Sequence, residues 1–215
     1  MFFDAPYGNW VDLAVVVLLG VGVYRGRVRG MSEELLDVTK WILILIAGGF
    51  LYQPVGFMLA QSSVFSVFTC FLIVYSTILV VIFFFFSSLK RRLGDKLLAS
   101  DVFGDAEYYL GMAAGAFRYG CVILVCFAFL NARLYTAEEV AAQRQFQQEN
   151  FGDIAFPTLP TLQDQVFSKS FVGHITKSYL SQFLILATLP ESKGLETINA
   201  VRAREQTVNE LLEKR

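Results

Sequence analysis

The chain has 215 residues, enough for one domain of ordinary size, with 55% hydrophobic and only 17% charged side chains and a mean hydropathy of +0.51. Its 21 Phe outnumber the 18 Lys and Arg combined, which excludes a disordered chain and argues against a water-soluble globule. A net charge of −1 supplies no basic field for nucleic acid, and three Cys, all inside apolar runs, make no secreted disulfide framework. These features describe an all-α membrane protein whose first partner is the lipid bilayer.

Taken in chain order, the first predicted span covers about residues 9–26. Trp10 and Tyr24 suit its two interfaces, Asp12 sits near its outer end, and Arg25 snorkels from the other. A cleaved signal peptide does not fit, because Arg25, Arg27 and Arg29 follow the apolar run rather than precede it. Between Lys40 and Lys90 there is no Asp, Glu, Lys, Arg or His, a length sufficient for two membrane helices of about 20 residues each. These are read as 38–60 and 64–88, with a break at Gln61-Ser62-Ser63 and a kink at Pro54-Val55-Gly56. The fourth span, 108–130, carries Arg118 as its only charge. Residues 1–132 therefore form a four-helix transmembrane domain.

Orientation follows from Lys and Arg in the short loops. Arg25, Arg27, Arg29 and Lys40 flank the first connection, and Lys90, Arg91, Arg92 and Lys96 the third, whereas the first nine residues and Gln61–Ser63 have none. Both basic connections are expected in the cytoplasm and both termini on the outer side.

Residues 133–215 are charged, Gln-rich and amphipathic, and are expected as a helical extramembrane tail. Thr136-Ala137-Glu138-Glu139 has capping-box spacing and predicts a helix to about Gln148. Phe156-Pro157-Thr158-Leu159-Pro160 reads as a stop and linker. One helix is predicted over Val166–Leu189, with Phe171, Ile175, Tyr179, Phe183 and Leu186 as its apolar stripe, and a charged surface helix over Leu195–Leu212.

No catalytic, cofactor-binding or metal-binding constellation is visible. His174 is the sole histidine and fits the polar side of an amphipathic helix; Cys121 and Cys126 are five apart and suit apolar packing. Arg118 is the most informative charge, about 15 Å along its helix from Tyr108 and near mid-membrane. An intramembrane Arg costs at least about 2.5 kcal/mol, so it either faces the bundle interior or snorkels to the cytoplasmic headgroups. Glu34 and Asp37 are its candidate partners. Glu33, Glu34 and Asp37 together suit a helix N-terminus behind Ser32 as N-cap better than an acid-base site. Gly111 and Gly115 form a GxxxG close-packing face beside Ala114.

Placed in one register, Trp10, Asp12, Arg29-Gly30, Glu34 and Trp41 form a pattern that resembles the colicin V production (CvpA) family of bacterial inner membranes. Its members open the first span with Trp-x-Asp, continue with Arg-Gly-aromatic-x-Arg-Glu, and place a Trp seven residues after the Glu. The string NWVDLAVVVLLGVGVYRGRVRGMSEELLDVTKW keeps that spacing, with Met31 where an aromatic is usual and Glu33 where Arg is usual. A later motif is similar to Leu110-Gly111, Gly115 and Arg118, with Tyr119 in place of a Gly and Glu107-Tyr108 in place of Asp-Arg. The resemblance covers about residues 9–132. It implies a non-catalytic multi-pass protein of the inner membrane, connected with peptide-toxin production or export and with envelope maintenance. A scaffold binding an envelope or export protein is the first expectation, with association between copies of the chain as a further one. A transporter or channel subunit with Arg118 lining a polar path is the alternative.

Overall fold

The computed structural model describes residues 9–62, 65–98, 104–151 and 158–188. They form α1 (Trp10–Ser62), α2 (Val67–Leu98), α3 (Glu107–Asn131), α4 (Ala137–Phe151), α5 (Leu159–Phe167) and α6 (Phe171–Tyr179), with short 3₁₀ turns at Gly104–Ala106 and Ser181–Phe183. Among the described residues there is no β-ladder beyond an isolated bridge between Arg133 and Thr188. The protein is all-helical. Three stretches are long and apolar enough to cross a membrane: Trp10–Ser62, Val67–Arg92 and Glu107–Asn131.

The first of these differs from the sequence reading, which separates spans 9–26 and 38–60 by a loop. Helix continues on both sides of a single residue, Gly30, whose φ of 76° and ψ of 170° lie in a region that is essentially glycine's alone. The chain reverses there. A straight helix would set Asp12 and Tyr52 about 60 Å apart. Yet Asp12 accepts a hydrogen bond from the Val172 N–H, and the Tyr52 hydroxyl donates to the Leu184 carbonyl. The chain from Val172 to Leu184 spans about 40 Å at most, even fully extended. Residues 10–29 and 31–62 are thus two limbs of a helical hairpin. The backbone leaves the helical region at Gly30 and not at the expected Pro54-Val55-Gly56 kink.

Ser32, expected to cap the second limb, is buried and its Oγ has no hydrogen-bond partner. Helical geometry resumes immediately after Gly30, so Ser32 already lies inside the helix rather than at its boundary.

The limbs pack against α2 and α3. Gly48 and Gly56 admit the rings of Tyr75 and Phe71 from α2, since an added Cβ would lie 2.7 Å and 2.5 Å from those rings. Tyr52 meets Phe71 edge-on at 5.3 Å, and Tyr75 meets Phe129 of α3 at 5.2 Å. Outward, the long helices present Leu13, Phe50, Met58 and Phe84, an apolar surface suited to lipid rather than water.

Beyond α3 the capping box forms as the spacing predicts. The Glu139 N–H donates to Thr136 Oγ1 (3.2 Å) and the Thr136 N–H to the Glu139 carboxylate (3.3 Å), opening a helix that reaches Phe151. The single helix expected over Val166–Leu189 is instead two short helices, a 3₁₀ turn and an extended end. Thr158 caps α5 with Pro160 in its first turn, so Leu159-Pro160 begins a helix rather than ending a linker. Ser170 caps α6, and Gly173 lets α6 approach the Val166 carbonyl. Two local N-caps outweigh one long stripe. The Gln61-Ser62-Ser63 break and the Phe156–Pro160 linker lie partly, and the Leu195–Leu212 helix wholly, outside the described residues.

Candidate functional site

At the Gly30 end the glycines come first. Gly22 and Gly26 of the first limb lie against Gly115 and Gly111 of α3, each close to the other's backbone carbonyl. A Cβ on Gly22 would sit 2.7 Å from the Gly115 carbonyl oxygen, and one on Gly30 would sit 2.7 Å from Glu107 Oε1. With no side chains between them, the two backbones pack at the distance small residues allow in membrane helices.

This close approach fixes α3 beside the hairpin and sets the position of Arg118. Helical side chains lean toward the N-terminus, and the N-terminus of α3 is at the Gly30 turn, so the guanidinium is carried toward the start of the second limb. There Arg118 Nη1 lies 2.9 Å from Glu34 Oε2 and 3.4 Å from Asp37 Oδ2. Arg118 is 8% exposed and Glu34 not at all. Of the two readings of Arg118, the geometry is that of the interior-facing one.

The cluster extends through every long helix. Arg29, at the end of the first limb, reaches Glu34 (3.4 Å), Glu33 (3.8 Å) and Asp37 (3.9 Å). From α2, Lys90 Nζ lies 3.0 Å from Asp37 Oδ2, and Lys40 Nζ is 2.9 Å from Asp37 Oδ1. Lys40 also sits over the rings of Trp41 (5.9 Å) and Phe83 (4.9 Å). Each carboxylate faces at least one cation. The arrangement is an ion-pair network that ties helices together, since removing one partner would strand a charge in a poorly hydrated site.

The sequence-singled residues divide between the two ends. Arg29, Gly30, Glu34, Trp41, Gly111, Gly115 and Arg118 gather at the Gly30 end. Trp10 and Asp12 belong to the opposite end, where they hold residues 158–188 against the bundle. Asp12 accepts from the Ser170 hydroxyl (2.7 Å) and from the N–H groups of Val172 (3.1 Å) and Phe171 (3.2 Å), capping α6. Trp10 Nε1 donates to the Gln165 side chain. Asn131 donates to the Ile185 carbonyl, and Tyr52 both donates to Leu184 and accepts from the Leu186 N–H at 3.0 Å. His174 is exposed on α6, Cys70 and Cys121 are buried, and Cys126 is exposed.

Several participants were not singled out as candidate site residues: Gly22, Gly26, Lys90, Tyr52 and Ser170. The glycines had a readable signal, since Gly22, Gly26 and Gly30 repeat the four-residue spacing of Gly111 and Gly115. Lys90 and Tyr52 had none, because an isolated Lys or Tyr at a helix position does not announce a partner on another helix.

The family model described as Colicin V production protein matches residues 11–151, which includes the whole Gly30-end cluster. Neither the curated proteins nor the solved structures give a match to this chain.

Proposed function

The chain belongs to the colicin V production protein family, and on that premise we propose that it is a non-catalytic scaffold of the bacterial inner membrane, acting in toxin production or export or in envelope maintenance. The observation that carries this reading is the engagement of Arg118 by Glu34 and Asp37. Arg118, which the alternative places on a solute path, is instead used to join helices. That also weighs against the alternative, a transporter or channel subunit.

In this reading the chain crosses the bilayer four times, with residues 10–29 and 31–62 as separate crossings. The reversal at Gly30 supports that count. The basic Gly30 end faces the cytoplasm, and residues 158–188 and both termini lie on the outer side. The partner is an envelope or export protein that meets α6, where Phe171 and Tyr179 remain exposed. Association between copies of the chain is compatible with the same surface.

Complementation of a deletion strain tests the role. A chain stopped after Arg133 is expected to reach the membrane but not to restore toxin export or detergent resistance. Full complementation by that truncated chain would overturn the scaffold reading. Alkaline phosphatase and a cytoplasm-only fluorophore fused at Arg215 test the orientation, with phosphatase activity alone as the expected result.

A further inference from the structure

Above the Arg118 cluster, the two limbs, α3 and α6 enclose a cavity of about 540 Å³, within the size range of small-molecule sites. Its walls are apolar: Val15 and Leu19 from one limb, Leu45 from the other, Cys121 and Leu124 from α3, and Leu180 just after α6. The single hydroxyl in the lining, that of Thr176, donates to the Val172 carbonyl at 2.8 Å and needs no further partner. Nothing in the walls would hold water, which requires two to four polar partners.

Two features point to an occupant. Ile42, Ile46 and Phe117 both line the cavity and are exposed, so it opens onto the apolar outer surface of the long helices. The lining also includes Gly120, where an added Cβ would meet nothing within 4 Å. Gly111 and Gly115 are required by close backbone packing; Gly120 is not. A mid-helix glycine is unfavourable relative to Ala, and this one leaves open the space a side chain would fill.

We infer that the cavity is a binding site for one acyl chain of a bilayer phospholipid, which enters sideways between Ile42 and Phe117 and lies against Gly120 beneath α6. The inference rests on the membrane placement of the helices and not on the scaffold role. A seated chain would also couple α6 to the surrounding lipid, since Val172, Ile175 and Leu180 form part of the wall.

The test uses the full chain reconstituted in phosphatidylcholine vesicles containing a fraction of lipid with a diazirine in its acyl chain. After irradiation the labelled positions are mapped by peptide mass spectrometry. Label on Cys121 and Leu124 is expected to exceed that on Phe84 and Phe85, which are far more exposed on the lipid-facing surface of α2. Label distributed in proportion to exposure would overturn the proposal. Gly120→Phe should abolish the excess while label at Phe84 and Phe85 is retained, and an unchanged excess in a folded variant would also overturn it. If that variant does not fold, the wild-type ratio decides alone. Absence of label at Phe84 and Phe85 would remove the membrane placement and the proposal with it.

Discussion

Arg118 and Glu34 meet at 2.9 Å across the interface between α3 and the second limb, the carboxylate fully buried and the guanidinium nearly so. Their meeting depends on two glycine contacts farther along the first limb and on the reversal at Gly30. The ion pair is thus a product of the packing as well as a support for it.

Removing one partner should be far worse than removing both. Arg118→Leu leaves Glu34 buried with only Arg29 beside it, a loss of about 3–5 kcal/mol for a broken buried pair. The double variant Glu34→Leu/Arg118→Leu removes the stranded charge and is expected to recover most of that loss. Thermal unfolding in detergent of the two single variants and the double variant measures the coupling.

Gly30→Ala should destabilise the hairpin by about 1–3 kcal/mol, the range for a residue held in a disfavoured backbone region. The added methyl would also press on Glu107. Gly30→Ala/Glu107→Ala removes the contact but not the strain, so only partial recovery of the melting temperature is expected.

The glycine face should tolerate even less. Gly26→Leu would insert a side chain where the Gly111 backbone lies and force α3 away from the first limb. The expected result is loss of folded protein from the membrane fraction, whereas Gly20→Leu, with nothing within 4 Å of its added Cβ, should accumulate normally.

Asp12→Ala should act locally. It withdraws the acceptor of three hydrogen bonds at the start of α6, a capping loss of about 0.5–2 kcal/mol. Faster proteolysis near Ser168–Phe171 is expected, with the melting of the bundle little changed.

Tyr52→Phe removes a hydroxyl that serves both Leu184 and Leu186, and each hydrogen bond contributes about 1 kcal/mol. Hydrogen exchange at the Leu186 amide should accelerate without change in the core around Phe71 and Tyr75.

The long helices were legible because apolar length and the placement of Lys and Arg are properties of single segments. The Arg118 partners were legible for a related reason: the second limb opens with the carboxylates Glu33, Glu34 and Asp37, beside a stretch that has none from Trp41 to Leu89. The fold-back was harder. Arg25 to Lys40 reads as a polar connection, yet it is helical on both sides of Gly30, and Arg29, Glu34, Asp37 and Lys40 meet ionic partners without a loop to carry them to water. The α5–α6 break was missed because the caps at Thr158 and Ser170 act over three residues, whereas the stripe Phe171, Ile175, Tyr179 spans more. Phe171 and Tyr179 of that stripe face outward, Tyr179 79% exposed, while Ile175 lines the space between α6 and the limbs and Thr176 is buried. Periodicity identified a face without showing which surroundings it meets.

The bonds from Asp12 to Ser170, Phe171 and Val172 also impose an order on assembly. During synthesis this carboxylate is made before either limb is complete, but its donors are made only after both limbs, α2 and α3. It stays without those donors while the whole of α2 and α3 is made. This end of the bundle closes after the Gly30 turn, and a ribosome that stalls before residue 172 leaves the hairpin with its opposite end still open.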